Sequence, residues 1–223
     1  MKEQGFGVSG FTLKCIAMAC MLVDHTGAVL FPQYIQLRMI GRLSFPIYCF
    51  LLVEGAVHTK NIRRYEIRLL AFALLSELPF DWMMHTQQSS VWEDQNVFFT
   101  LFLGLLVVGQ YQKQREKLNS GLTFVVAVAC MAAAELLNTD YGAAGIIFIL
   151  LFYALYERTV LKQAAFVGMN FLLYGFSVQI YAGFAALPML LYNGKRGPSM
   201  KYFFYLFYPL HLLGIYFLCK IMY

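Results

Sequence analysis

Long apolar stretches separated by short polar clusters are the feature that most constrains the fold of this chain. Nine such windows follow one another, at 11–31, 43–58, 66–84, 97–111, 121–138, 143–157, 164–178, 180–192 and 203–220. A helix that crosses a bilayer needs about 20 predominantly apolar residues, and several of these windows are shorter than that. The expected fold is an all-α bundle of about nine transmembrane spans, forming one integral-membrane domain over residues 1–223. The pair 164–178 and 180–192 has almost no loop between its members, and a broken or re-entrant hairpin is an alternative there.

The composition agrees with a surface that faces lipid. Hydrophobic residues make up 60% of the chain and charged residues only 13%, whereas ordinary globular domains are about a quarter charged. This balance sets aside a nucleic-acid binder, a disordered chain and a disulfide-stapled secreted module. On a soluble domain the net charge of +5 would indicate acidic partners; in a membrane protein it reports topology instead.

The first apolar window is expected to stay in the mature protein. Its run from Cys15 to Val23 resembles the core of a signal peptide, but Asp24, His25 and Thr26 follow where a cleavage site should be. The five cysteines are odd in number and all lie in apolar stretches, which predicts buried free thiols.

The placement of lysine and arginine predicts the orientation. Loops that face the cytoplasm carry an excess of these cations. With the N-terminus inside, 14 of the 17 basic residues face in, and only Arg38, Arg42 and Lys220 do not. The acidic Trp92–Glu93–Asp94 loop then lies outside. The sequence therefore predicts an N-in, C-out bundle.

Ionisable side chains at membrane depth are costly and indicate a functional site inside the bundle. On this topology they gather near the outer ends of the first, second, third and fifth spans. They are Asp24, His25, Arg38, Arg42, Glu77, Asp81, Glu135, Asp140 and the neighbouring Tyr141. Five acids against two arginines make the predicted pocket net acidic. Such a pocket favours a cationic acceptor such as an amine, held by Glu77, Asp81 and Asp140.

His25 is the best candidate for a catalytic base. It lies within a span among other charges, and histidine takes and returns a proton near neutral pH. Adjacent helical residues point about 100° apart, so Asp24 is expected to pair with Arg42 or Arg38 rather than with His25. The alternative is that Asp24, His25 and the two arginines form a structural polar network that stabilises helix packing.

His211 has two interpretations. It follows Tyr208–Pro209–Leu210 in the last span, and the proline leaves a backbone carbonyl without its usual donor. His211 either lines the site or belongs to a helix kink.

The loop Asn193–Gly194–Lys195–Arg196–Gly197 is a candidate phosphate site on the cytoplasmic side. Glycine allows close backbone approach, and the Arg196 guanidinium offers a bidentate fork. The alternative is that Lys195 and Arg196 only determine topology. No His-x-x-x-His, Cys-x-x-Cys, Gly-x-Ser-x-Gly or strand-linked phosphate loop is present in the sequence, so no metal is expected.

Several strings, taken in order, resemble the TraX family. Among them are Met-Leu-Val-Asp-His-Thr-Gly at 21–27 and Arg-Met-Ile-Gly-Arg-Leu-Ser-Phe-Pro-Ile-Tyr at 38–48. The other matching segments are 13–18, 52–59, 65–81, 140–142 and 192–211. The resemblance covers nearly the whole chain, and the order of the strings makes it specific.

The resemblance implies a polytopic inner-membrane acyltransferase, since the family is named for the acetylase that modifies the N-terminus of conjugative pilin. Similarity to membrane acyltransferases that use a helix-borne histidine and acyl-CoA would give His25 the role of general base. Acetyl-CoA would bind through Lys195 and Arg196, and the acceptor would be a peptide amine or an envelope glycan hydroxyl. Arg42 and Arg38 would stabilise the oxyanion or hold Asp24. The alternative is a transporter or assembly factor that uses the same charges as a substrate or proton path.

Overall fold

The computed structural model describes residues 7–84, 94–115 and 120–222. Within these ranges the chain forms helices and two isolated β-bridges. The ten α-helices of the described ranges, with one 3₁₀ helix between α8 and α9, are α1 (Gly10–Val29), α2 (Ile35–Gly41), α3 (Ser44–His58), α4 (Ile62–Met84), α5 (Val97–Arg115), α6 (Ser120–Leu136), α7 (Gly142–Ala154), α8 (Thr159–Tyr174), the 3₁₀ helix Val178–Ala185, α9 (Ala186–Leu190) and α10 (Lys201–Met222). The all-α prediction is confirmed for the described residues.

Three described segments are long and apolar enough to cross a membrane. They are Gly10–Val29, Ile35–His58 and Tyr202–Met222. Shorter apolar helices cover Gly121–Leu136, Gly142–Ala154 and Val178–Leu190. Each of the nine predicted windows contains a helix, but the number of spans and their orientation stay predictions.

Polar residues start and stop the helices. The Ser9 hydroxyl caps α1 by accepting from the Thr12 amide at 3.2 Å. The side-chain oxygen of Asn96 accepts from the Phe98 amide at 3.0 Å, in the same way, at the start of α5. A break at Arg42 and Leu43 separates α2 from α3. These features set the starts of α1 and α5 and the boundary between α2 and α3.

Apolar side chains from almost every helix form the core. The largest fully buried ones include Phe148 and Phe152 of α7 and Phe166 of α8, whose rings pack edge to face or tilted. All five cysteines are free; four are buried, but Cys15 is exposed on α1. The predicted burial of the thiols is therefore wrong for Cys15.

The two ends of the bundle differ in chemistry. At one end, called here the site end, α1 and α4 finish close to the start of α2 and to the 94–96 and 138–141 segments. At the opposite end, the start of α1 lies against the loop 191–197. The amides of Gly10 and Phe11 donate to the carbonyls of Lys195 and Arg196 at 2.8 and 2.9 Å. That loop therefore satisfies two of the free N–H groups that begin α1.

Candidate functional site

Asp24 on α1 is held by two arginines. Its Oδ2 atom accepts from Arg38 Nη1 at 2.8 Å and from Arg42 Nη2. Arg38 Nη1 also donates to the backbone carbonyl of Asp24 at 3.1 Å. The predicted pairing of Asp24 with an arginine is thus confirmed for both candidates. Both guanidinium groups contact the same carboxylate oxygen, Oδ2. The other oxygen, Oδ1, is buried without a hydrogen-bond partner in the described structure.

Glycines allow α1 and α2 to approach closely enough for this pairing. A Cβ atom at Gly41 would overlap the Asp24 side chain, and one at Gly27 would collide with Leu37. Small residues of this kind let helix backbones pack tightly in membranes. The short helix α2 and the break that follows it therefore place Arg38 and Arg42 beside Asp24 of α1.

His25, the neighbour of Asp24, has a different partner. Its Nδ1 atom lies 2.7 Å from Nε2 of His211 on α10. The Nδ1 atom of His211 lies 2.9 Å from the backbone carbonyl of Phe207. As the helical geometry predicts, Asp24 and His25 point to separate partners. The sequence left the role of His211 open, and the structure brings it into direct contact with His25.

Two adjoining cavities meet at His25. The larger, of about 230 Å³, is lined by Asp24, His25, Arg38, Arg42, Asp140 and Tyr141 together with Ala28, Phe80, Met84, Asp94 and Thr139. The smaller, of about 30 Å³, is a recess that also contacts Asp24, His25, Asp140 and Tyr141, and adds residues such as Met21, Tyr48 and Tyr208. Even the smaller volume exceeds the 10–15 Å³ or so that one water needs. His25 therefore faces open space and not only packed side chains.

The loop before α7 forms another wall of the larger cavity, through Thr139, Asp140 and Tyr141. The Thr100 hydroxyl donates to the Asp140 carbonyl and to the Thr139 hydroxyl. The Asp140 amide donates to the Gln95 carbonyl at 2.8 Å. Burial raises the pKa of the Asp140 carboxyl to about 6, although Arg42 opposes the shift. An acid of this kind changes charge within the physiological range.

Tyr141 occupies a restricted backbone conformation at the cavity wall. Its φ angle of 68° lies in the left-handed region, which is uncommon for residues other than glycine. The ring stacks on Phe45 with centroids 3.6 Å apart, and the Arg42 guanidinium lies 6.0 Å from the ring centroid. Side-chain packing thus holds a conformation that is costly for the backbone alone, as is common at functional sites.

A series of hydrogen bonds from Arg42 to Gln179 and Asn170, which was not predicted from the sequence, supports the Arg42 side chain. Arg42 Nη1 donates to Gln179 Oε1 at 3.4 Å, at the start of the 3₁₀ helix. The buried Asn170 of α8 donates to the backbone carbonyls of Gln179 and Ile180 at 3.1 and 3.2 Å. Gln179 fell in the gap between two apolar windows, where a single amide gives little signal. The presence of two amide side chains, Asn170 and Gln179, in otherwise apolar segments was the sequence signal that could have indicated a polar contact here.

The other predicted acids lie near the site end but outside the two cavities. Glu77 accepts from the side chain of Asn96, and from its amide at 3.3 Å. Asp81, one turn further along α4, is buried and is not a lining residue of either cavity. His211 is buried behind His25 and also does not line them. Asp94, which the sequence placed only in an acidic loop, lines the larger cavity; Trp92 and Glu93 lie outside the described residues.

Lys195 and Arg196 lie at the opposite end of the bundle from His25. Both are exposed, and Arg196 Nη2 donates to the Ser199 hydroxyl at 3.2 Å. Gly10 and His25 are separated by fifteen helical steps, which amount to about 22 Å along α1 at the rise of an α-helix. A molecule that contacts both regions would need a long flexible arm.

The site can bind and polarise a polar ligand. Asp24 Oδ1 and Arg42 Nε are buried without hydrogen-bond partners in the described part of the chain. Buried polar atoms left in this state are costly, so the cluster is incompletely satisfied in this structure. Side chains of both charge signs and an imidazole line the larger cavity, whereas these two unpaired atoms are themselves packed against protein.

The fold and the site define a multi-helix membrane protein with a histidine pair and an arginine–aspartate cluster at one end of its bundle. The chain belongs to the TraX protein family, whose profile matches residues 9–219. The resemblance seen in the sequence is thereby confirmed.

Two relatives extend the comparison. The chain is 31% identical to the probable fimbrial assembly protein FimC, serogroup H1, of Dichelobacter nodosus, over 92% of this chain and 93% of that protein. It is 25% identical to an uncharacterized protein of Rickettsia prowazekii (strain Madrid E), over 70% of this chain and 60% of that protein. No solved structure matches.

Proposed function

We propose that this protein is a membrane-bound acyltransferase that moves an acetyl group from acetyl-CoA to an amine, or to a hydroxyl, of an envelope substrate. The observation that carries the proposal is the position of His25. Its ring lines a cavity of about 230 Å³ beside Asp24, Arg38 and Arg42, and its Nδ1 atom is held by His211. An imidazole held in place beside a polar cavity suits general-base catalysis.

The reaction balances with the groups present. A neutral acceptor amine attacks the thioester carbonyl, forming the C–N bond, and passes its N–H proton to His25 Nε2. The tetrahedral intermediate then collapses, the C–S bond breaks, and His25 returns the proton to the departing thiolate. The products are the amide and free CoA.

The charged neighbours of His25 have separate roles in this proposal. The Arg42 guanidinium, which lines the larger cavity, stabilises the oxyanion, assisted by Arg38. The Asp140 carboxylate, which lines the same cavity, holds a cationic acceptor before it loses its proton. Tyr141 forms part of the wall, while Glu77, Asp81 and His211 support the site from outside the cavity.

We also propose that the bundle crosses the bacterial inner membrane about nine times with its N-terminus in the cytoplasm. The basic loop with Lys195 and Arg196 then meets the phosphates of acetyl-CoA on the cytoplasmic side, and the site end opens outward. The small recess, of about 30 Å³, suits a short acyl group. A C-terminal fusion to alkaline phosphatase should be active and one to green fluorescent protein dark; the reverse pattern would contradict this topology.

The name of the FimC relative supports a peptide acceptor that belongs to a surface fibre. The same name also favours a second candidate, in which the protein is a non-enzymatic assembly factor or transporter. The two candidates differ in whether acetyl-CoA binds.

The deciding experiment uses purified protein in detergent or nanodiscs. Acetyl-CoA at 100 times its Kd should stabilise the fold by about 2.7 kcal/mol, whereas ATP should not. Transfer of labelled acetyl to a short peptide with a free N-terminus should fall about 10²–10⁴-fold in His25→Ala, with membrane insertion unchanged. Retained transfer in that variant would defeat the role of His25, and no stabilisation by acetyl-CoA would favour the second candidate.

A further inference from the structure

The hydrogen bonds of His211 determine which of its nitrogens carries the proton. Its Nδ1 atom is 2.9 Å from the Phe207 carbonyl. A carbonyl oxygen only accepts hydrogen bonds, so Nδ1 is the donor and carries a hydrogen. A neutral imidazole has one N–H, and the described partners of His211 include no acid that would compensate a positive charge. Nε2 of His211 is therefore an acceptor.

That acceptor fixes the state of His25. The two facing nitrogens are 2.7 Å apart, a distance at which one of them must donate. Since His211 Nε2 has no hydrogen, Nδ1 of His25 supplies it. The second nitrogen of His25, Nε2, is then the unprotonated one, and among the described residues it has no hydrogen-bond partner.

We infer that His211 is a positioning residue, which holds His25 in the tautomer whose Nε2 is free to accept a proton. This inference rests on the proposed function for its catalytic meaning, since it names the group that keeps the base correctly protonated. His211 touches neither cavity, so it acts through His25 and not on the substrate.

The packing around the pair holds both rings in place. The Phe207 ring stacks on His211 with centroids 4.8 Å apart and planes 8° from parallel. Tyr208 meets His25 edge to face at 6.2 Å. His211 itself is only 8% exposed. These aromatic contacts, together with burial, disfavour a rotation of either ring that would offer its other nitrogen.

The hydrogen-bond chain also stabilises the charge that forms during proton transfer. When His25 Nε2 takes the proton of the acceptor, its Nδ1–H becomes a cationic donor to His211 Nε2. Charge-assisted hydrogen bonds are stronger than neutral ones. The transferred proton stays on His25 until it passes to the departing thiolate, and the Nδ1–H of His211 stays hydrogen-bonded to the Phe207 carbonyl throughout.

The tautomer can be read without turnover, by nitrogen NMR of the full chain labelled with ¹⁵N-histidine in nanodiscs. The His25 signals are assigned by their loss in His25→Gln. In the wild-type protein we expect a protonated Nδ1 and an unprotonated Nε2 on His25. A protonated Nε2 with a bare Nδ1 would overturn the inference, and this measurement requires no variant of His211.

Substitutions at His211 provide the second arm. His211→Leu removes the acceptor, and the His25 signals should move toward the tautomer protonated at Nε2. His211→Gln keeps a side-chain carbonyl that can accept from His25 Nδ1, and should restore the wild-type pattern. His58→Gln, at an exposed position near the opposite end of the bundle, is the matched control and should leave His25 unchanged. Wild-type His25 signals in a folded His211→Leu protein would overturn the inference.

Kinetics separate positioning from a merely structural role. With acetyl-CoA and a short peptide amine, His211→Leu should lower kcat by about 100-fold while KM stays within about twofold, and His211→Gln should recover most of the loss. Equal loss in both variants at unchanged melting temperature would contradict the positioning role. If no variant and no wild-type protein transfers acetyl, the proposed function fails, whereas the NMR result still decides the tautomer.

Discussion

Gly41 lies so close to Asp24 that a single added methyl group would occupy the space of the carboxylate. The contact joins α2 to α1 at the point where both arginines reach Asp24. The absence of a side chain at position 41 is therefore part of the site, although glycine has no chemistry of its own.

The Gly41→Ala variant tests this contact. Overpacking of a well-packed interior costs about 1–3 kcal/mol, and here the displaced group is Asp24, so both stability and acetyl transfer should fall. The matched control is Gly168→Ala on α8, where an added Cβ meets nothing within 4 Å. That control should be neutral or slightly stabilising, because alanine is the better helix former. Melting curves of both variants in detergent decide the matter, and equal behaviour would argue against the tight contact.

The two arginines should contribute unequally. The Arg42 side chain is 16% exposed and also binds Gln179, whereas Arg38 is 31% exposed. Removing one partner of a buried ion pair costs about 3–5 kcal/mol, so Arg42→Ala should approach that range. Arg38→Ala should cost less because water can replace part of the contact. Unfolding free energies of the two variants test the order, and a larger loss for Arg38→Ala would contradict the geometry.

Arg42→Lys should show that shape matters as well as charge. A guanidinium binds Asp24 and Gln179 with separate nitrogens, but an ammonium is a compact point charge. We expect the lysine variant to retain more stability than Arg42→Ala and to lose most of the transfer activity. Activity equal to that of the wild-type protein would remove the oxyanion role from Arg42.

The Asp140 carboxyl should impose a pH dependence on acceptor binding. Burial raises its pKa to about 6, so the group is negative above that pH and neutral below it. A peptide whose α-amino group is protonated, as it is below about pH 7.7, should therefore bind more weakly as the pH falls through 6. The KM of a short peptide amine, measured from pH 5 to 7.5, should rise toward low pH in the wild-type protein.

The comparison variant for that titration is Asp140→Asn, which keeps the shape of the side chain and removes its charge. Its KM should be higher at neutral pH and should lose most of the change near pH 6. An unchanged pH profile in this variant would assign the dependence to another group.

The small recess beside His25 should limit the length of the acyl group. Its volume of about 30 Å³ is bounded in part by Met21 and Tyr48. Tyr48→Ala should enlarge it and raise the preference for propionyl-CoA over acetyl-CoA. One methylene is worth about 1–3 kcal/mol in an apolar pocket, or roughly 10–200-fold in kcat/KM. Tyr48→Phe removes only the hydroxyl and should keep the wild-type preference.

Local sequence patterns predicted most of the helices and the pairing of Asp24 with arginine. Each apolar window contains a helix, because the run of apolar residues and its polar boundaries are local signals. The pairing of Asp24 with arginine also followed from local geometry, since adjacent residues on a helix point apart. What these features share is a short separation along the chain.

Contacts between distant segments could not be predicted in this way. His25 and His211 are 186 positions apart, and helical periodicity does not say which faces of α1 and α10 meet. The support of Arg42 by Gln179 depends on a 3₁₀ helix between two apolar windows. Asp94 reaches the cavity because its segment pairs with the loop before α7, where Asn138 donates to its carboxylate at 2.7 Å. Tertiary packing decides all three.

The C-terminal part of the chain contacts α1 at two points, one near each end of that helix. Lys195 and Arg196 supply acceptors to the first amides of α1, and His211 reaches His25 near the other end of the same helix. A ribosome-bound chain that still lacks its final thirty or so residues thus has neither anchor for α1. The helix that carries Asp24 and His25 is therefore fully anchored only once α10 has packed against it, so a prematurely terminated chain has no complete histidine pair.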